Sequence, residues 1–125
     1  MQKHHVLVVD DDPGIRLAVS LKLRTSGFDV SEATDGVEAM EFWKNGRADL
    51  AVLDVGMPRL DGYSVARAMR ADRATADVPV VILTAQNLEV PPEVAPLIGR
   101  HRFLTKPFSP RELVKAVREL LDGSA

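Results

Sequence analysis

Three consecutive aspartates, Asp10, Asp11 and Asp12, stand directly after the apolar run Val6, Leu7, Val8 and Val9, and Asp54 stands directly after Leu50, Ala51, Val52 and Leu53. Thr84 follows Val80, Val81, Ile82 and Leu83 in the same way, and Lys106 ends a run that carries Phe103 and Leu104. An ionisable side chain is expensive inside an apolar core, so an acid that ends such a run belongs at its polar edge. If those edges lie together, Asp10, Asp11 and Asp54 converge, and carboxylates crowded without a cation raise one another's pKa values. A divalent metal relieves the crowding. Hard oxygen donors with open positions suit Mg2+, which keeps several waters and usually shares its site with a phosphate. Lys106 would add a point charge and Thr84 a hydroxyl. Such a set could serve phosphoryl transfer, in which positioning and charge neutralisation do most of the catalysis and a carboxylate is the nucleophile.

Stepwise alternation of short apolar runs and amphipathic stretches supplies the elements that would gather these residues. The four-residue runs are too short for helices and fit strands buried on both faces of a parallel sheet. Asp12 or Pro13 opens a first helix, with Ile15, Leu17, Ala18, Leu21 and Leu23 on its apolar side, and Gly27 stops it. Residues 28–32 form a weaker strand, expected at a sheet edge. Asp35 and Gly36 turn into a second helix over 37–44, closed by Asn45 and Gly46. Gly56, Pro58 and Gly62 interrupt regular structure after Asp54 and leave room around it. A third helix over about 63–74 faces Val65, Ala66 and Met69 inward and Arg67, Arg70 and Arg73 outward. Between 86 and 99 the alternation calls for a fourth helix, but Pro96 would clash with the carbonyl four residues earlier, so that helix is expected to be short or distorted. A fifth strand over 102–105 leads to Lys106 and Pro107. Ser109 as N-cap and Pro110 at the first helical position begin a last helix that carries Leu113, Val117, Leu120 and Leu121 and ends near Asp122 and Gly123. The expected class is α/β, a parallel sheet covered on both faces by right-handed crossovers, with strand ends from one rim lining a crevice.

At 125 residues the chain reads as one domain over 1–125. It has no cysteine, which excludes disulfides and thiolate chemistry and fits a reducing compartment. No apolar run approaches the roughly 20 residues that cross a bilayer, so a cytoplasmic location without a membrane partner is expected. A net charge of -2 provides no field to draw in nucleic acid, and direct nucleic-acid binding is disfavoured.

Along its whole length the chain resembles a receiver domain of the two-component response regulators. The resemblance rests on Val8, Val9, Asp10, Asp11 and Asp12; on Leu53 and Asp54 with Met57, Pro58, Asp61 and Gly62; on Leu83, Thr84 and Ala85; and on Phe103 with Lys106, Pro107 and Phe108. It implies a flavodoxin-like doubly wound sheet of five parallel strands in the order 2-1-3-4-5. It further implies that Asp54 accepts a phosphoryl group from the phosphohistidine of a sensor histidine kinase or a histidine phosphotransfer protein. Asp10 and Asp11 would hold Mg2+ directly or through water, with the Gly56 backbone carbonyl completing the shell. Lys106 would pair with the phosphoryl group, Thr84 would bond to it and report it, and Phe103 would occupy the aromatic switch position. The Lys106-Pro107 bond would be cis. Such a protein is no conventional enzyme; it assists its own phosphorylation and dephosphorylation, and it changes partner binding through the 84–103 face and the last helix, a downstream target engaging residues 84–122. Two features bear on the finer behaviour. Gly99, Arg100, His101 and Arg102 stand where the family usually carries a small Gly-Ala pair, which touches the choice of output partner rather than the chemistry. Gly56 and Gln86, each two residues beyond a site residue, flank the expected phosphoryl group, and glycine offers water no obstruction, so dephosphorylation is not expected to be strongly slowed.

Ordinary structural roles compete with these assignments. Residues 10–12 would cap the first helix at its positive end, a role that suffices for Asp12. Thr84 would end a strand as a β-branched residue, Lys106 would be a solvated loop cation, and Phe103 would be a core aromatic. His4, His5 and His101 read as surface residues. Two other function classes stand beside the first. An Mg2+-dependent phosphatase would need a second acid spaced to hydrolyse a covalent intermediate, and none follows Asp54. A flavodoxin-like cofactor binder would need a Gly- or Ser-rich nest where the first strand instead delivers acids. The chain is either a free-standing receiver or the front of a longer regulator.

Overall fold

The computed structural model describes residues 3–57, 59–85 and 91–122. The apolar runs form β1 (His5–Val9), β3 (Leu50–Asp54), β4 (Val80–Ala85) and β5 (His101–Lys106), and the weaker run forms β2 (Asp29–Ala33). All pairs are parallel and the order is β2-β1-β3-β4-β5. β3 is buried at every position, while β2 and β5, each with one neighbour, stay partly exposed. The doubly wound α/β fold expected from the sequence is therefore present, with β2 at an edge.

Alternating side chains divide the core between the two sheet faces. Val6, Val8, Leu50, Val52, Val81, Leu83 and Leu104 pack under α1 (Pro13–Thr25) and α4 (Pro110–Leu121). Leu7, Val9, Ala51, Leu53, Val80 and Ile82 pack under α2 (Gly36–Asn45) and α3 (Gly62–Ala71). Each of α1, α2, α3 and α4 starts on a side-chain cap. Asp12 accepts from Gly14 and Ile15 with Pro13 at the first position, Asp35 accepts from Glu38, and Asp61 from Ser64. Ser109 and Glu112 exchange hydrogen bonds of 3.1 and 3.2 Å in a reciprocal capping box, with Pro110 at the first position.

Four readings need correction. Leu17 and Leu21 were placed on the inner side of α1, but they are 63% and 58% exposed; the buried stripe is Val19, Ser20 and Leu23. Helix α3 ends at Ala71 rather than near 74, because the Thr75 hydroxyl donates to the Met69 carbonyl at 2.7 Å and turns the chain. Arg70 does not face outward. It donates to the carbonyls of Ile98 at 2.8 Å and of Thr75 and Ala76 at 3.1 Å each, and burial pushes its pKa down. Finally, β2 begins one residue later than expected.

The expected distortion of the fourth helix is found. Among the described residues, the crossover from β4 to β5 contains only a 3-10 helix, Ala95–Leu97, built on turns from Val94 to Pro91 and from Leu97 to Val94. Proline removes the donors a regular helix would need there. Gly99 ends this crossover at a φ of 72°, and a Cβ on it would meet Arg70 Nε at 2.1 Å, so the position requires glycine. The expectations that touch Pro58, Gln86, the first part of the 86–99 segment and Gly123 lie outside the described residues. No helix among them is long and apolar enough to cross a membrane.

Candidate functional site

The carboxyl ends of β1, β3, β4 and β5 meet at one rim of the sheet. Asp10, one residue past β1, is fully buried, and every polar group it carries is engaged. Its amide donates to the Ala33 carbonyl at 3.2 Å, and its carbonyl accepts from Arg16 at 2.9 Å. Its carboxylate accepts from the Asp12 amide at 2.9 Å and from Lys106 Nζ at 3.4 Å. Asp54, the last residue of β3, is 6% exposed and accepts from Lys106 Nζ at 3.1 Å. Asp11 is exposed. One carboxylate oxygen from each of Asp10, Asp11 and Asp54 falls within 4.8 Å of the others, a spacing that could hold one metal ion.

The electrostatics follow from this crowding. Burial, joined by the charge of Asp54, holds the Asp10 carboxyl above its ordinary range, although the Asp12 amide and Lys106 pull the other way. Burial by itself would lower the Lys106 ammonium, but its hydrogen bond to Asp54 and the charges of both aspartates outweigh that and hold it above its ordinary value. The cluster holds three acids, and one lysine pairs with two of them. The donor set is all oxygen and carries excess negative charge, which fits a hard divalent cation such as Mg2+ and fits neither a thiolate- nor an imidazole-seeking metal.

The loop after β3 is shaped to leave this corner open. Gly56 donates to Asp54 Oδ1 at 3.4 Å, and a Cβ placed on it would meet nothing within 4 Å. The same loop is anchored tightly further on. A Cβ on Gly62 would meet the Asp54 carbonyl oxygen at 2.6 Å, and one on Gly36 the Leu60 carbonyl oxygen at 2.3 Å. Arg59 adopts a left-handed φ of 66° and ion-pairs with Asp35, the cap of α2. That pairing and the Glu38 amide hold the Asp35 carboxyl below its ordinary range, the amide being the larger cause.

Thr84 and Phe103 share the other sheet face. Ile82 stands opposite Phe103 in the ladder, and Thr84 lies two residues beyond Ile82, so Thr84 and Phe103 are diagonal neighbours on the α2 and α3 side. Thr84 is buried beside Asp54's strand, since Asp54 pairs with the preceding Leu83. Phe103 is half-buried, packs on that core and meets the His101 ring edge to face at 4.9 Å. The Lys106-Pro107 peptide is cis, as the resemblance implied.

The structure thus brings Asp10, Asp11, Asp54 and Lys106 into direct proximity, sets Gly56 beside them, and holds Thr84, one residue past Asp54's ladder partner Leu83, on the opposite face together with Phe103. Sequence reasoning missed Arg16, which fastens Asp10, and the Arg59-Asp35 pair. A cation on the first turn of a helix gave no signal of its own, and the second contact joins residues 24 apart through two loops.

The family model for the response regulator receiver domain matches residues 6–118. The chain is 44% identical to response regulator MprA of Mycobacterium sp. (strain KMS), covering 93% of this chain and 50% of that protein. It is 38% identical to the DNA-binding dual master transcriptional regulator RpaA of Synechocystis sp., covering 93% of this chain and 48% of that one. The chain therefore spans about half the length of these relatives. Among solved structures, the receiver domain of a sensor histidine kinase from Pseudomonas aeruginosa PAO1, which has a magnesium ion coordinated in its active site cleft, superposes with a TM-score of 0.86 at 30% identity, covering 97% of this chain and 99% of that one.

Proposed function

Because the chain belongs to the response regulator receiver domain family, we propose that Asp54 is its phosphoacceptor and that Asp10, Asp11, Asp54 and the Gly56 backbone carbonyl hold Mg2+ beside it. The observation that carries this reading is the convergence of three carboxylates within 4.8 Å with Lys106 Nζ bridging two of them. Bound Mg2+ would neutralise charge on the acceptor and the incoming phosphoryl oxygens. A carboxylate oxygen of Asp54 attacks the phosphorus of a phosphohistidine whose other ring nitrogen carries a proton; the new P–O bond forms as the P–N bond breaks, the P–N electron pair stays on nitrogen, and neutral imidazole leaves. Lys106 then pairs with the phosphoryl oxygens, and the Thr84 hydroxyl donates to one of them.

The donor is a sensor histidine kinase or a histidine phosphotransfer protein. An apolar groove of about 440 Å3 opens beside Lys106 and Ala85 between α1 and α4, and is lined by Ile15, Ala18, Phe108 and Leu113. Leu17 and Leu21 add exposed apolar surface on another side of α1. A surface of this kind, continuous with the acceptor, suits a helical donor whose histidine must reach Asp54.

Moving Thr84 toward the phosphoryl group frees space on the face it shares with Phe103, and the turn of that ring carries the change to residues 84–122, where a downstream target binds. The protein so read is a switch that assists its own phosphorylation and dephosphorylation, working in the cytoplasm. In a longer protein like the relatives it would govern a DNA-binding part, while the receiver itself makes no nucleic-acid contact.

The test is incubation with Mg2+ and a small acyl phosphate, followed by intact mass. One base-labile phosphoryl adduct that Asp54→Asn abolishes supports the reading. Turnover of unrelated phosphate esters would favour a phosphatase, and a bound yellow cofactor a flavodoxin-like binder.

A further inference from the structure

The side chain of Arg16 lies on α1 but points back over the end of β1. Its Nη1 donates to the Asp10 carbonyl at 2.9 Å, and its Nε donates to Glu32 of β2 at 3.2 Å. Glu32 is itself steadied by Arg24 at 3.4 Å. The carbonyl that Arg16 holds belongs to the peptide joining Asp10 to Asp11, so the guanidinium sets the plane of that peptide. The other side of Asp10 is fixed by its amide on Ala33 of β2. Asp11 differs from Asp10: no side-chain hydrogen bond from a described residue orients its carboxylate. The backbone at Asp11 therefore sets the direction from which its side chain reaches toward Asp10 and Asp54.

We propose that Arg16, braced by Glu32, is a positioning residue for divalent-cation binding, acting by fixing the Asp10–Asp11 peptide so that the Asp11 carboxylate faces Asp10 and Asp54. The inference rests on the reading of those three acids as a cation site. The planar fork of arginine suits the task, since one guanidinium engages a carbonyl and a carboxylate at once, which a lysine ammonium on a flexible stem does poorly. Residues that orient metal ligands in this way typically change affinity by roughly 10- to 100-fold when removed.

The sign of the effect separates this role from two simpler ones. Taking a cation away from a site that binds a cation should tighten binding if charge alone matters. Removing a purely structural contact should lower Tm and leave affinity alone. Positioning predicts the reverse of the first and more than the second. The experiment is Mg2+ titration calorimetry, with Tm of the metal-free proteins, on the wild type, Arg16→Met, Arg16→Lys and Glu32→Gln. The expected result is a Kd for Mg2+ raised about tenfold in Arg16→Met, partly recovered in Arg16→Lys, and raised less in Glu32→Gln, which leaves Arg16 in place without its brace. An unchanged or lowered Kd in Arg16→Met and Glu32→Gln overturns the proposal. Should Arg16→Met fail to fold, Arg16→Lys, which keeps the charge and loses the planar fork, decides: a raised Kd supports the proposal and an unchanged one overturns it. Absence of saturable Mg2+ binding in the wild type is a different result, for it overturns the cation-site reading beneath the proposal.

Discussion

Lys106 and Asp54, 52 residues apart in sequence, meet at 3.1 Å across the ends of β5 and β3. The same ammonium lies 3.4 Å from Asp10, so a single cation bridges two buried acids and offsets their repulsion. Lys106→Ala should slow phosphorylation of Asp54 by a small acyl phosphate about a hundredfold, the scale on which one fixed charge donor contributes to such a step. Its Mg2+ affinity should rise or stay level, because the competing cation is gone. Stopped-flow phosphorylation at saturating Mg2+, beside calorimetry, reads both.

Asp10 should cost the metal-free protein stability. Its folded pKa is raised, burial being the larger cause, so its contribution to stability is complete below the unfolded value of about 3.9 and is lost as pH rises through the folded one. Asp10→Asn should accordingly melt above the wild type at pH 7 by about 4 °C, the shift that roughly 1 kcal/mol produces in a domain of this size. The gap should close below about pH 4, where both side chains are neutral. Thermal melts from pH 3 to pH 8 in chelator give the answer, and a gap that persists in acid would refute the assignment.

The open space around Gly56 leads to a kinetic expectation. A bulky side chain there would stand where water must approach the phosphoryl group. Gly56→Tyr should lengthen the phosphoryl lifetime severalfold, and decay of the adduct after donor removal is the measurement. An unchanged lifetime would place the water path elsewhere.

Exposed Leu17 and Leu21 should matter to a protein donor and not to a small one. The double change Leu17→Glu and Leu21→Glu should reduce phosphotransfer from a phosphorylated kinase at least tenfold, since several apolar contacts are each worth up to about 1 kcal/mol or more. Phosphorylation by a small acyl phosphate should be unaffected. Equal loss with both donors would mean that the helix, rather than the docking, had been damaged.

Arg70 ties α3 to the 3-10 crossover through three carbonyls. Arg70→Met should destabilise by about 2–3 kcal/mol, because buried carbonyls lose a charged donor. Mg2+ affinity should not move, since none of those contacts reaches the acid cluster. Urea melts beside Mg2+ calorimetry make the comparison.

Much of this arrangement was legible in residue order. Apolar runs ending in Asp10, Asp54, Thr84 and Lys106 marked strands and their polar ends at once, because a charge cannot continue a buried strand. Proline spacing foretold the shortened fourth crossover, since the missing donors are a local property. The inner side of α1 was misread for the opposite reason. Leu17 and Leu21 fit an apolar stripe as well as Val19 and Leu23 do, and helical spacing alone cannot say which stripe faces the sheet.

By itself, the sequence determined which elements form and which chemical groups the strand ends carry, since both depend on propensity, caps and polarity over a few neighbouring residues, whereas the end of α3 was set by the Thr75 hydroxyl on the Met69 carbonyl. Tertiary structure alone decided that Arg16 grips the Asp10 carbonyl, that Arg70 turns inward to hold Ile98, and that Arg59 reaches Asp35. Long cations can extend to solvent or to a partner with almost equal ease, and only the position of a distant carbonyl or carboxylate in the folded chain selects between them.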